Sequence, residues 1–161
     1  MTVLQTEDEA RAFVAERCES ESLRRLESFV ARMNEANQAQ NLVSRQSLET
    51  VWLRHIAASA QLMDHVPRET RSWLDLGTGA GLPGLVLAIM APTRKFILVE
   101  SRKLRIAWLR KMIVGLSITN ATVEGCDLKS VASFDAGVIS ARAFAPLDRL
   151  VAQCARFSTI E

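Results

Sequence analysis

The run Asp75-Leu76-Gly77-Thr78-Gly79-Ala80-Gly81-Leu82-Pro83-Gly84 places four of the chain's seven glycines within ten residues. Glycine accepts positive φ and carries no Cβ, so a ligand can lie against such a backbone and a helix can pack close to the strand before it. A predicted strand over Trp73 to Leu76 leads into the glycines and a helical stretch from Pro83 to Met90 follows them, which is the strand–loop–helix setting a nucleotide-type loop requires. Gly79-x-Gly81-x-x-Gly84 also fits the dinucleotide fingerprint, so the loop by itself leaves NAD and S-adenosylmethionine both open. Glu100 ends the next predicted strand about 20 residues on, where a carboxylate accepts hydrogen bonds from ribose hydroxyls in either cofactor.

Two further residue sets bear on that choice. Asp75 stands beside the loop, and an anion there suits an amino group or a sulfonium better than a pyrophosphate. Val123-Glu-Gly-Cys-Asp127-Leu128 leaves a third predicted strand into a turn, where an acidic side chain and backbone N–H groups can hold an adenine. Both turn the reading toward S-adenosylmethionine. On the helix after Glu100, Lys103, Arg110 and Lys111 share the polar side while Ile106, Leu109 and Ile113 face inward, and Arg94, Lys95 and Arg102 lie near in sequence; such a set suits a polyanion such as RNA. Arg142 falls at the end of the fourth predicted strand, the edge of an α/β sheet where ligands collect, with a planar guanidinium able to position a base or cofactor. His55 sits on an otherwise apolar helical face and reads as a hydrogen-bonded structural histidine.

The elements that position these residues follow from periodicity. Thr6-x-x-Glu9 is a capping box ahead of a first helix through Cys18, and Ser20 or Ser22 is expected to cap a second. Leu23, Leu26, Val30 and Met33 recur at spacings of three and four, and a third helix is expected after Ser47 with Leu48, Val51, Trp52, Ile56 and Leu62 inward. From Ser72 onward short apolar runs alternate with helical stretches. Strands are expected at Trp73 to Leu76, Lys95 to Val99, Ala121 to Glu124 and Ala136 to Ser140, with helices at Pro83 to Met90, Arg102 to Leu116 and Pro146 to Arg156. Alternation of this kind implies an α/β fold with a parallel sheet. The expected organisation is an N-terminal helical region over residues 1–66 and an α/β core over residues 67–161, together forming one compact unit.

Composition excludes several classes. At 161 residues, 48% hydrophobic and 24% charged, the chain suits one globular domain with a real core. Met1 to Ala10 hold three acids and no apolar run, and Leu82 to Ala91 is too short to span a bilayer, so no secretory signal and no membrane are expected. Three widely spaced cysteines and two histidines fit no disulfide framework and no zinc site; reduced thiols in cytoplasm are expected. A net charge of +2 decides nothing about nucleic acid.

Asn41-Leu42, Arg54-His55-Ile56 with Ser59, Asp75-x-Gly77-Thr-Gly79-x-Gly81-Leu82-Pro83-Gly84 and Val138-Ile-Ser-Ala-Arg142-Ala-Phe together resemble the signature stretches of the RsmG (GidB) family, in order and over nearly the whole chain. The resemblance implies a class I, Rossmann-like methyltransferase that uses S-adenosylmethionine to methylate guanine N7 in 16S ribosomal RNA, acting on that RNA or on the small ribosomal subunit. By the same resemblance Gly77, Leu82, the Asp127-Leu128 turn and Arg142 sit at cofactor-contacting positions, Glu100 matches the ribose-binding acid, and Gly79 and Gly81 belong to the cradle. The chain differs from the pattern at Ala58, where the family carries an acid, and near Cys126, where it carries an arginine. Four predicted strands are fewer than the fold provides, so the last strands are expected to be lacking, and an open sheet edge of that kind predicts self-association where a full-length chain would be monomeric. Two other readings stand beside the methyltransferase: a catalytically inactive RNA-binding fragment, and a small NAD-binding domain, for which the chain offers no tyrosine.

Overall fold

The computed structural model describes residues 3–158. Helix α1 (Glu7–Ala15) opens on the expected capping box: the Thr6 hydroxyl accepts from the Glu9 N–H at 3.1 Å, and the Glu9 carboxylate accepts from the Thr6 N–H at 3.2 Å. Helix α2 (Ser20–Ala36) buries Leu26, Phe29, Val30 and Met33. Neither expected serine caps it. Glu19 precedes the first turn without a side-chain bond, and Ser22 is buried, donating to the Ile89 carbonyl at 2.7 Å. A hydroxyl facing another helix is more use as a cross-link than as a cap.

The third helical segment is broken up. A short α3 (Arg45–Leu48) is capped by Ser44, a π-helical turn spans Trp52–Ala57, and α4 (Ala58–Ala60) runs into a 3₁₀ turn at Gln61–His65. The Trp52 and Leu53 N–H groups donate to the Glu7 carboxylate at 3.0 and 2.8 Å. That acid satisfies donors which a continuous helix would direct to the preceding turn, so the chain restarts at Trp52.

Strands β1 (Ser72–Leu76), β2 (Lys95–Val99), β3 (Ala121–Glu124) and β4 (Val138–Ala141) form one parallel sheet in the order β3-β2-β1-β4. Helices α5 (Gly84–Met90) and α6 (Lys103–Gly115) make the crossovers β1 to β2 and β2 to β3, and α7 (Leu147–Cys154) follows β4. Pairing is in register from Leu74↔Ile97 to Leu76↔Val99, and from Trp73↔Val138 to Leu76↔Ala141. β4 begins two residues later than the sequence suggests, because Ala136 pairs with Ser158 and the Gly137 N–H is taken by the Ser72 hydroxyl.

Alternation along the strands sends side chains to two cores. Trp73, Phe96 and Leu98 join one that includes α1, α2, α5 and α6; Leu74, Leu76 and Val99 join another with Leu128, Val131, Ala136 and Phe157. Every residue of α5 is buried, which is why its sequence, GLVLAIM, carries no polar face. β4 has β1 on one side and, among the described residues, no strand on the other. The order changes direction between β1 and β4, and this switch point opens a crevice beyond the C-terminal strand ends.

Candidate active site

The crevice is a cavity of about 420 Å³ lined from the ends of all four strands: Gly77 after β1, Glu100 after β2, Asp127 and Leu128 after β3, and Ala143 and Phe144 after β4. Four segments far apart in sequence meet there because parallel strands deliver all their C-terminal ends to one edge.

Gly77 adopts φ +64°, and a Cβ on it would stand 2.7 Å from the Phe144 ring. Glycine is therefore required twice, by the backbone and by the aromatic wall. Glu100, 5% exposed, accepts from the Gly79 N–H at 3.1 Å through one oxygen and from the Ser101 and Arg102 N–H groups at 2.9 Å each through the other. Three of roughly four carboxylate lone pairs are thus engaged, leaving one for a ligand hydroxyl. The same bonds join the glycine loop to the start of α6, as does the Trp108 indole N–H, which donates to the Ala80 carbonyl at 2.9 Å.

Asp75 lies elsewhere than the sequence suggests. It is fully buried, with one carboxylate oxygen accepting from the Gly84 N–H at 2.9 Å and the other from the Ser140 hydroxyl at 2.6 Å, while Ser140 in turn accepts from the Trp73 indole at 2.8 Å. Burial pushes the Asp75 carboxyl above the usual range, opposed by these donors. It braces the loop from beneath and does not line the cavity. Gly81 and Leu82 likewise face the interior: a Cβ on Gly81 would press on Leu85, and Leu82 is 4% exposed.

Arg142 stands apart from the cavity. Its guanidinium nitrogens lie 3.4 and 3.5 Å from Nδ1 of His55, beside a second recess of about 400 Å³ between α4, Pro83 and β4. Burial, then the charges of Arg142 and Arg54, push the His55 imidazole down to about 4. Lys103, Arg110 and Lys111 are all exposed along α6.

Several cavity residues escape a reading of the sequence. Arg105, near the start of α6, places its guanidinium 3.9 Å from the Glu100 carboxylate and over Gly79; Lys129 lines the same mouth, beside Arg102 of the basic set. Phe144 and Gln153 close the side under α7. A helical phase taken from Glu100 would have flagged Arg105, whereas Phe144 reaches Gly77 only through the loop after β4. Among the described residues no group of three or more histidine, cysteine, aspartate or glutamate side chains could hold a metal ion, and no helix is long and apolar enough to cross a membrane.

The family model described as "rRNA small subunit methyltransferase G" matches residues 22–160. A protein of Erythrobacter litoralis named "Ribosomal RNA small subunit methyltransferase G" is 55% identical over 98% of this chain and 76% of its own length. Proteins of the same name from Novosphingobium aromaticivorans and Rhizorhabdus wittichii are 47% and 45% identical, over 97% and 95% of this chain and 70% and 71% of their own lengths. With a match of that extent and identity, the chain belongs to the rRNA small subunit methyltransferase G family.

Proposed function

We propose that this chain binds S-adenosylmethionine in the crevice beyond β1–β4 and methylates N7 of a guanine in 16S ribosomal RNA, on the small ribosomal subunit or its RNA. The observation that carries the reading is the convergence of Gly77, Glu100 and the Asp127-Leu128 turn on one cavity. The residues fit the cofactor: the bare backbone at Gly77 admits close approach, Glu100 keeps one lone pair for a ribose hydroxyl, and Asp127 with Leu128 offers a carboxylate and N–H groups to an adenine. Asp75, Gly79, Gly81 and Leu82 serve by holding the loop in shape, and Arg142 waits at the end of β4 on the side away from the adenine end.

When bound, the cofactor supplies an electrophilic methyl on a sulfonium. Guanine N7 carries an in-plane lone pair that is unprotonated near neutral pH, so the chain needs no general base. Its residues have to align nucleophile, methyl and leaving sulfur and to exclude water. Phe144 and Leu128 provide apolar walls for that exclusion. Exposed Lys103, Arg110 and Lys111 on α6, with Arg102 and Lys129 at the cavity mouth, offer cations to RNA phosphates.

Calorimetric titration with S-adenosylhomocysteine, NAD and NADP, followed by methyl transfer to small ribosomal subunits and to naked 16S RNA, tests the proposal. S-adenosylhomocysteine binding with N7 methylation is expected. Binding of NAD alone would reject it, and cofactor binding without transfer to either RNA would leave an inactive binding protein.

A further inference from the structure

Resting on the methyltransferase reading, we infer that His55 is a positioning residue: its Nδ1 accepts from the Arg142 guanidinium and fixes where that guanidinium stands at the end of β4. Three independent features of the structure meet at this imidazole.

The first is the contact itself. Both terminal nitrogens of Arg142 approach Nδ1, at 3.4 and 3.5 Å, across 87 residues of sequence. Arginine has donors only, so Nδ1 must be the unprotonated acceptor and the ring proton must sit on Nε2. Arg142 itself is exposed and has no acidic partner within ion-pair distance among the described residues, so this ring is what defines its direction.

The second is the other nitrogen. Nε2 is buried and has no hydrogen-bond partner among the described residues, in a residue only 6% exposed. A buried N–H without an acceptor costs stability, and a phenylalanine would fill the same space without that cost. The histidine is therefore justified by what Nδ1 does. The low affinity of the ring for protons agrees, since a charged imidazole facing Arg142 and Arg54 would repel the group it has to hold.

The third is the backbone. His55 lies in the π-helical turn Trp52–Ala57, whose first N–H groups are held by Glu7. A π-helical turn widens the helix by one residue and rotates the following side chains, and such turns recur where a side chain has to be aimed. Here the imidazole meets the Arg142 guanidinium, which ties the N-terminal helical region to the end of β4.

The experiment compares wild type with H55F, H55N, R142A and the double variant H55F/R142A. H55F keeps a ring and removes the acceptor; H55N keeps an oxygen near the Nδ1 position. Thermal unfolding establishes that each folds. The expected result is a drop in kcat of about tenfold or more for H55F, recovery to within about threefold by H55N, and less than about twofold further loss when H55F is added to R142A. An equal loss from H55F with and without Arg142, or an R142A variant as active as wild type, would overturn the inference. Long-range proton–nitrogen NMR of the imidazole reads the pair even in a chain that transfers no methyl. A neutral ring protonated at Nε2, with an Nδ1 resonance that moves in R142A, is expected. A ring protonated at Nδ1 sinks the inference, whereas an intact pair in a chain that methylates neither RNA sinks the proposed function instead.

Discussion

The Gly84 N–H donates to Asp75 at 2.9 Å, and a methyl group on Gly84 would stand 2.6 Å from that same carboxylate oxygen and 2.4 Å from Leu98. Strand β1 and helix α5 are so close that neither partner has a substitute of larger size. Gly84→Ala is expected to destabilise the chain by about 1–3 kcal/mol or more through overpacking. Asp75→Ala strands the buried Gly84 N–H, at about 1–3 kcal/mol, and takes the acceptor from the half-buried Ser140 hydroxyl, which costs less. Asp75→Asn still accepts from Gly84 through its carbonyl oxygen but turns an N–H toward Ser140, whose hydroxyl loses its acceptor, so it should cost less than the Ala variant without matching wild type. Urea unfolding of the three variants gives the order. An Asn variant as damaged as the Ala variant would mean that the charge itself, and not the bracing, is what the loop requires.

Gly77 and Phe144 give a second, separable prediction. Gly77→Ala forces a side chain into φ +64° and pushes the Phe144 ring from the cavity wall. The backbone part should cost about 1 kcal/mol and remain whatever stands at residue 144, while the steric part should disappear in a Phe144→Ala background. Thermal unfolding measures the first part and S-adenosylhomocysteine affinity the second. If the two substitutions prove additive in cofactor affinity, the ring is not the wall described here.

Much of this fold was legible in sequence because β1 and β2 are buried on both faces: Trp73, Leu74 and Leu76 and the run Phe96 to Val99 are apolar at successive positions whose side chains serve two different cores. The glycine loop, Glu100 and the Asp127-Leu128 turn were legible for a related reason, since parallel strands end on one edge and loop positions there converge by topology. What could not be read was direction. Asp75 alternates inward on β1, so an acid that looks available to a cofactor spends both oxygens beneath the loop. Ser22 and Glu7 act across the fold, on Ile89 and on the Trp52–Leu53 backbone, which local capping rules do not see. Arg105 and Phe144 enter the cavity through helix phase and a loop path respectively.

His55 should make the stability of the chain sensitive to mild acid. Its folded-state pKa, about 4, lies below the ordinary 6.5, so between those values the unfolded chain takes up a proton that the folded chain refuses. Stability from this group is therefore fully present above about pH 6.5 and is lost as pH falls toward 4, by on the order of 3 kcal/mol. Scanning calorimetry across this window, wild type against H55F, isolates the effect because the carboxylates are common to both. Parallel curves would show that the imidazole ionises freely in the fold.

Glu100 joins two tasks in one carboxylate, and substitution can divide them. Its three backbone donors, Gly79, Ser101 and Arg102, hold the glycine loop against the start of α6, and its remaining lone pair faces the cavity. Glu100→Ala abandons all three donors and should lower stability as well as cofactor affinity. Glu100→Gln keeps one carbonyl oxygen, which can serve the Ser101 and Arg102 N–H groups, but its amide then meets the Gly79 N–H and the Arg105 guanidinium. Donor facing donor drives that end of the loop open, so the Gln variant should fold yet bind S-adenosylhomocysteine about 1–3 kcal/mol more weakly, the cost of losing a charge-assisted acceptor. A ligand lacking both ribose hydroxyls supplies the control: wild type and Gln variant should bind it with more nearly equal affinity, since neither can form the bond in question. If the dideoxy analogue loses as much affinity as the parent on going from Glu to Gln, the carboxylate shapes the loop alone, and the sugar must be held by another group at the cavity mouth.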